Sequence, residues 1–232
     1  MKHAMILGAM KCGTSTLHRH LADHDNICCN FMESVPNSKE PDYFGVNPYG
    51  FSSYEEIWKI RDGHQYILDG STNYSKYPDI DGVPQRIHEY GLTPKFVYMV
   101  RDPIERIISQ MENYDLMPTE DMISVSKYHM QLGRFLEYFS RDDILVLTLE
   151  ELQRDAQATV DRVLMHLELP SIAVDPLLVM NPREWRHLPR PTADYYDSRR
   201  YRLMISMLRS ELADDMTSLR DDFGVNVSSW GF

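Results

Sequence analysis

The feature that most constrains this chain is an uninterrupted strand, turn and helix signal at its start. Ala4-Met5-Ile6-Leu7 is an apolar run of the kind that forms a buried strand. A turn bounded by Gly8 and Gly13 follows, and Thr14-Ser15-Thr16-Leu17 opens a helix. That order presents backbone N–H groups and a helix N-terminus to an anion. The phosphate-loop pattern G-x-x-x-x-G-K-[ST] is nearly met, but Thr14 stands where it demands lysine. The loop's own lysine is Lys11, so its charge reaches a different part of any ligand. Taken alone, the segment also fits an ordinary glycine-containing βα turn.

A second segment narrows the choice. Lys95-Phe96-Val97-Tyr98-Met99-Val100 reads as another buried strand. It runs into Arg101-Asp102-Pro103-Ile104-Glu105-Arg106, where Asp102 suits an N-cap, Pro103 the first helical position and Glu105 the acid of a capping box. Ile104, Ile107, Ile108 and Met111 make the apolar stripe of the helix. Arg101 therefore stands at the carboxyl end of a strand, where open α/β sheets bind ligands, and Ser109 lies about two turns into the helix.

G-A-M-K-C-G-T-S-T-L resembles the 5′-phosphosulfate loop of the sulfotransferases that use 3′-phosphoadenosine 5′-phosphosulfate (PAPS), and V-R-D-P-I-E-R-I-I-S-Q resembles their 3′-phosphate motif. Weaker matches follow the order of the carbohydrate-type, heparan-sulfate-like branch. Lys39-Glu40-Pro41-Asp42-Tyr43-Phe44 is similar to its K-E-x-x-Y/F-F segment, and Asp69-Gly70-Ser71-Thr72-Asn73-Tyr74 to its E-K/A-[ST]-P-x-Y segment, with Gly70 and Thr72 in place of Lys and Pro. Ser126-Lys127-Tyr128-His129-Met130-Gln131-Leu132 is similar to its S-x-Y-x-x-Q-L helix. The resemblance runs from about Ala4 to Pro170. It implies an α/β, P-loop-like three-layer fold, with a central mainly parallel sheet of four to five strands flanked by helices.

The pattern along the chain agrees. Strands are expected at Ala4–Leu7, Tyr66–Asp69, Lys95–Val100 and Ile144–Leu149, with a short one near Ile27–Phe31. Helical stripes are expected at Leu17/Leu21, at Tyr128/Leu132/Phe135/Leu136/Phe139 and at Val160/Val163/Leu164/Leu167. Alternating strand and helix implies a parallel sheet. Phe31 to Tyr66 is aromatic and turn-rich, and reads as a partly helical excursion over the sheet and a wall for the acceptor, with Tyr43, Phe44, Tyr49, Phe51, Tyr54 and Trp58 available for stacking.

Composition bounds the rest. The 232 residues, 43% of them hydrophobic, can bury a full core and are read as a single sulfotransferase domain over 1–232. No stretch approaches the roughly 18–20 apolar residues of a membrane span, and the chain enters its first strand directly, so a cytoplasmic location is expected. Cys12, Cys28 and Cys29 make neither a disulfide framework nor a zinc pattern. A formal charge of −11 argues against nucleic acid as a partner, and mildly against a heavily sulfated polysaccharide as acceptor. Between Arg183 and Arg209 the chain carries seven arginines. Arg199, Arg200 and Arg202 read as a solvated face of a helix whose buried stripe is Tyr201, Met204, Ile205, Leu208 and Leu212. Arg183, Arg186 and Arg190 lie in a Pro-punctuated segment with Trp185 and His187, where the family carries a basic loop over the nucleotide. The nine histidines fall outside the matched motifs and are expected mostly at the surface or at helix ends.

By resemblance, PAPS is the donor cosubstrate, no metal is needed, and the site is Lys11, Cys12, Gly13, Thr14, Ser15, Thr16, Arg101, Ser109, Tyr128, Arg186 and Arg190. Lys11 and the loop amides would stabilise charge on the leaving phosphate. Arg101 and Ser109 would hold the 3′-phosphate. Glu40 is the candidate base, matching the carbohydrate-type glutamate, and Asp69 is the reserve. The acceptor is expected to be a small-molecule, glycoside or lipid hydroxyl, or less readily an amine. Two other readings stay open here: a P-loop kinase or NTPase-like phosphotransferase, and a catalytically inactive nucleotide-binding interaction module.

Overall fold

The computed structural model describes residues 1–29, 39–114, 117–180 and 198–232. Five parallel strands form one sheet in the order β2-β3-β1-β4-β5. They are β1 (Lys2–Gly8), β2 (Ile27–Cys28), β3 (Tyr66–Asp69), β4 (Lys95–Val100) and β5 (Ile144–Thr148). The expected strands are all present, β3 and β4 with the expected bounds and the others with shifted ends. β1 extends at both ends, the short strand stops at Cys28, and β5 stops at Thr148. Thr148 instead caps the next helix, accepting from the Glu151 amide while Glu151 accepts from the Thr148 amide.

The central strands are apolar on both faces because helices cover both, as a parallel sheet requires. Ala4 to Leu7 and Phe96 to Val100 are wholly buried. Helices α1 (Thr14–Leu21), α6 (Leu149–Arg154) and α7 (Ala156–His166) pack together. A second group comprises α3 (Pro103–Tyr114), α4 (Glu120–Val125), α5 (Tyr128–Leu136) and the long α8 (Arg199–Phe223). Helix α2 (Val83–Glu89) lies beside the 3-10 turn Thr72–Ser75.

The long helix α8 follows from its pattern. Met204, Leu208, Leu212, Met216 and Leu219 are buried at helical spacing, Ser198 caps the start through the Tyr201 amide, and Gly224 ends it in the left-handed region. Tyr201 and Ile205 are only partly buried, and Arg199, Arg200 and Arg202 face solvent as expected. Asp215 of α8 accepts the amides of His129 at 3.0 Å and Met130 at 2.8 Å, so α8 supplies an acid at the N-terminus of α5.

One expectation fails. The described part of the excursion, 39–65, is not an open aromatic wall: Phe44, Tyr54 and Trp58 are buried, and Tyr43 and Phe51 pack partly against the core. The rings of Tyr43, Phe44 and Trp58 gather around Tyr54, whose hydroxyl, with that of Tyr74, satisfies the buried Asp69 at the end of β3 at 3.1 and 2.8 Å. Tyr49 alone of the six is well exposed, at 42%. The histidines fall mostly at helix ends as expected, His18 and His20 in the last turn of α1, His88 in that of α2 and His166 in that of α7, although His18, His20 and His24 are also buried.

Candidate active site

In the order β2-β3-β1-β4-β5 the chain leaves β1 toward one edge of the sheet and crosses to the other at β4, so the carboxyl ends of β1 and β4 frame the crevice where open α/β sheets bind ligands. Both motif loops start there. The pairing of β1 with β4 shifts between Ile6 and Gly8, which releases the chain into its turn. Gly8 lies so close to Ser75 that a Cβ would collide with its hydroxyl, and that hydroxyl donates to Leu7 O at 2.8 Å.

The loop holds a tight form. The Cys12 amide donates to Ala9 O at 3.1 Å, Lys11 adopts φ 72°, and Gly13 takes φ 83° as the N-cap of α1. A Cβ at Gly13 would sit 2.7 Å from Leu149 Cδ1, so glycine is needed for space as well as for φ. Gly13 has no side chain to cap with, and the first-turn amides of a helix have no intrahelical acceptor. Among the described residues, Thr14, Ser15 and Thr16 therefore begin α1 with donors open to an anion. Thr16 Oγ1 also accepts the Met180 amide at 3.1 Å, which brings the chain before residue 181 back to the loop.

Arg101 meets this loop directly: its Nη1 donates to Lys11 O at 3.4 Å. Its Nη2 lies 3.6 Å from Glu105, so Glu105 pairs with Arg101 rather than closing a capping box, while Asp102 caps α3 through the Ile104 amide at 2.9 Å. Among the described residues, Arg101 Nε is buried without a hydrogen-bond partner. A buried donor of that kind is costly unless a ligand satisfies it. Ser109 is buried on α3. Two donor candidates reach the loop from inside the protein instead. Cys12 Sγ and Tyr128 OH are both buried and 3.7 Å apart, and burial raises the Cys12 thiol to about 11. Arg186 and Arg190 lie outside the described residues.

Glu40 is tied to the same edge of the sheet. Thr72 Oγ1 donates to Glu40 Oε2 at 3.1 Å, Lys39 pairs with Glu40 Oε1, and the Thr72–Ser75 turn rests on β1 through the Ser75–Leu7 bond. Asp69 sits differently. It is wholly buried and accepts from the Ser71 amide, the Ser71 hydroxyl, Tyr54 and Tyr74. Burial raises its carboxyl to about 6 despite those donors.

Sequence reasoning missed three neighbours of the site. Lys76 donates to Asn73 Oδ1 at 2.5 Å, and burial lowers its ammonium. His18 packs on Gly70, where a Cβ would meet its ring at 3.0 Å, and burial lowers it to about 3. Arg106 lies wholly buried under the loop. It falls on the polar side of α3, about 200° around from Ile104, so periodicity places it in solvent.

A family model for the sulfotransferase domain matches residues 1–180. The chain belongs to the sulfotransferase family. It is an enzyme of sulfuryl transfer, which sets aside the phosphotransferase and non-catalytic readings. No curated protein sequence matches it. Solved structures share the fold at low identity. A sulfotransferase from Alicyclobacillus acidocaldarius is 21% identical with a TM-score of 0.74, covering 100% of this chain and 99% of that one. The sulfotransferase domain of the Synechococcus PCC 7002 olefin synthase is 14% identical with a TM-score of 0.55, covering 92% and 94%. The sulfotransferase domain from the curacin biosynthetic pathway is 13% identical with a TM-score of 0.50, covering 89% and 97%. No described helix is long and apolar enough to cross a membrane.

Proposed function

We propose that this sulfotransferase takes the sulfuryl group from PAPS and passes it to a hydroxyl of a small or weakly charged acceptor. The observation that carries the donor assignment is the meeting of Arg101 with the Lys11 loop, with Arg101 Nε buried and unpartnered among the described residues. The residues fit the donor: uncapped amides at Thr14 to Thr16 suit its 5′ end, and the Arg101 guanidinium with Ser109 suits its 3′-phosphate. When bound, PAPS supplies an activated sulfuryl group whose leaving group is a phosphate. Lys11 and the first turn of α1 stabilise the charge that grows on that phosphate. Arg101 and Ser109 select the 3′-phosphate. Glu40, held by Thr72 and Lys39, takes the proton of the acceptor hydroxyl. Asp69, with both oxygens engaged and sealed from solvent, orients the end of β3 instead. The order of the weaker motifs supports the carbohydrate-type branch, and the −11 charge supports an acceptor that is not a polyanion. One domain spanning 1–232 and a cytoplasmic setting complete the reading.

Calorimetry with adenosine 3′,5′-bisphosphate, AMP, and ATP with and without Mg²⁺ tests the donor. Tight, metal-independent binding of the bisphosphate alone is the expected result, and equal affinity for AMP overturns the Arg101 assignment. Radiolabelled PAPS with desulfated glycosaminoglycan, glycosides and phenols at two ionic strengths tests the acceptor. Sulfation of the polysaccharide alone, weakening steeply with salt, overturns the charge argument.

A further inference from the structure

Among the described residues, Arg106 is the one arginine or lysine that is wholly buried. Its partners are all neutral: Nε donates to Ser126 Oγ at 2.6 Å, Nη2 to Gln110 Oε1 at 2.6 Å and to Met122 O at 3.0 Å, and Nη1 to Met10 O at 3.5 Å. No carboxylate among the described residues lies within ion-pair distance of it. Burying a guanidinium without an anion is expensive. Desolvation accordingly pulls its proton affinity down.

The contact with Met10 gives the charge a direction. The Met10–Lys11 peptide is planar and trans, so with its carbonyl on Arg106 the Lys11 amide points the opposite way. The next carbonyl, of Lys11, is held by Arg101. Two guanidinium groups thus hold successive carbonyls of the loop. Ser126 Oγ, which itself donates to Met122 O at 2.9 Å, fixes Arg106 against α4.

We propose that Arg106 is a positioning residue of the donor site: it turns the Met10–Lys11 peptide so that its amide faces the donor's 5′-phosphosulfate, and the bound anion is the counter-charge the fold omits. This rests on the donor reading above. The test measures adenosine 3′,5′-bisphosphate and AMP by calorimetry, with melting of the ligand-free protein, for wild type, Arg106→Gln, Arg106→Lys and Ser126→Ala. Arg106→Gln is expected to melt at or above the wild-type temperature without ligand, and to bind both nucleotides about tenfold or more weakly by the same factor. Arg106→Lys, which keeps the charge, is expected to recover part of that loss. Ser126→Ala is expected to weaken both nucleotides several-fold. A folded Arg106→Gln that binds both nucleotides as wild type does overturns the proposal. If Arg106→Gln does not fold, wild-type affinity in Ser126→Ala overturns it instead. Failure of wild type to bind the bisphosphate is a separate result, which removes the donor reading and this proposal with it.

Discussion

The Arg101 guanidinium donates to the carbonyl oxygen of Lys11 at 3.4 Å, joining the loop after β4 to the loop after β1. These residues are ninety positions apart in the chain, and the adjacency of β1 and β4 is what brings them together. The contact leaves Arg101 Nε buried and unpartnered among the described residues, beside a helix whose first amides are uncapped.

Removing Arg101 is therefore expected to erase the distinction between the bisphosphate and AMP. A hydrogen bond to a charged group contributes about 1.5–3 kcal/mol. Arg101→Ala should lose that much for adenosine 3′,5′-bisphosphate and little for AMP. Titration calorimetry of both nucleotides reads the difference directly.

Lys11 and Glu40 should separate in kinetics. On the proposed reading, in which the Lys11 ammonium meets both the ground-state donor and its developing charge, Lys11→Ala is expected to weaken donor binding and turnover together. Glu40→Gln keeps the shape and the Thr72 contact but removes the carboxylate proposed as proton acceptor. It should leave bisphosphate affinity nearly unchanged and lower turnover by about 10²-fold or more. Near wild-type turnover in Glu40→Gln would move the base to another residue.

Gly13 tests the loop itself. Its φ of 83°, and the 2.7 Å that would separate an added Cβ from Leu149 Cδ1, make alanine doubly unfavourable. Left-handed backbone costs an L-residue about 1–2 kcal/mol, and Leu149 must also move. Gly13→Ala should lower the melting temperature and weaken both nucleotides; an unchanged melt would show that the loop relaxes freely.

Asp69 and His18 give opposite pH signatures. Asp69 is raised from 3.8 to about 6, so the folded protein holds a proton that the unfolded chain releases between those values. Its contribution to stability is full below about pH 4 and is lost as pH rises through about 6. His18 is lowered from 6.5 to about 3, so the unfolded chain takes up a proton that the fold refuses. Its contribution is full above pH 6.5 and is lost as pH falls toward 3. Urea unfolding from about pH 4 to 8 should show wild type losing ground to Asp69→Asn as pH rises, and to His18→Asn as pH falls. Parallel curves would show that neither group is held as its burial implies.

The sequence by itself determined the strands, because runs such as Phe96 to Val100 have no alternative to burial on both faces of a parallel sheet. It determined the turn at Gly8 and Gly13, the cap at Asp102 and the apolar face of α8, since each is a local rule of backbone or periodicity. It also marked Lys11, Arg101 and Glu40 through motif order. Tertiary structure alone decided what lies on the second side of each element. Arg106 reads as a solvent residue on α3 until α4 covers it, and the burial of Cys12 against Tyr128 is set only by the assembled fold. The aromatic residues from Phe44 to Trp58 read as an acceptor wall until Asp69 draws Tyr54 inward. Hydrophobic pattern reports one face of one element at a time. A buried charge or hydroxyl is set by partners from distant parts of the chain, and those appear only once the sheet has assembled.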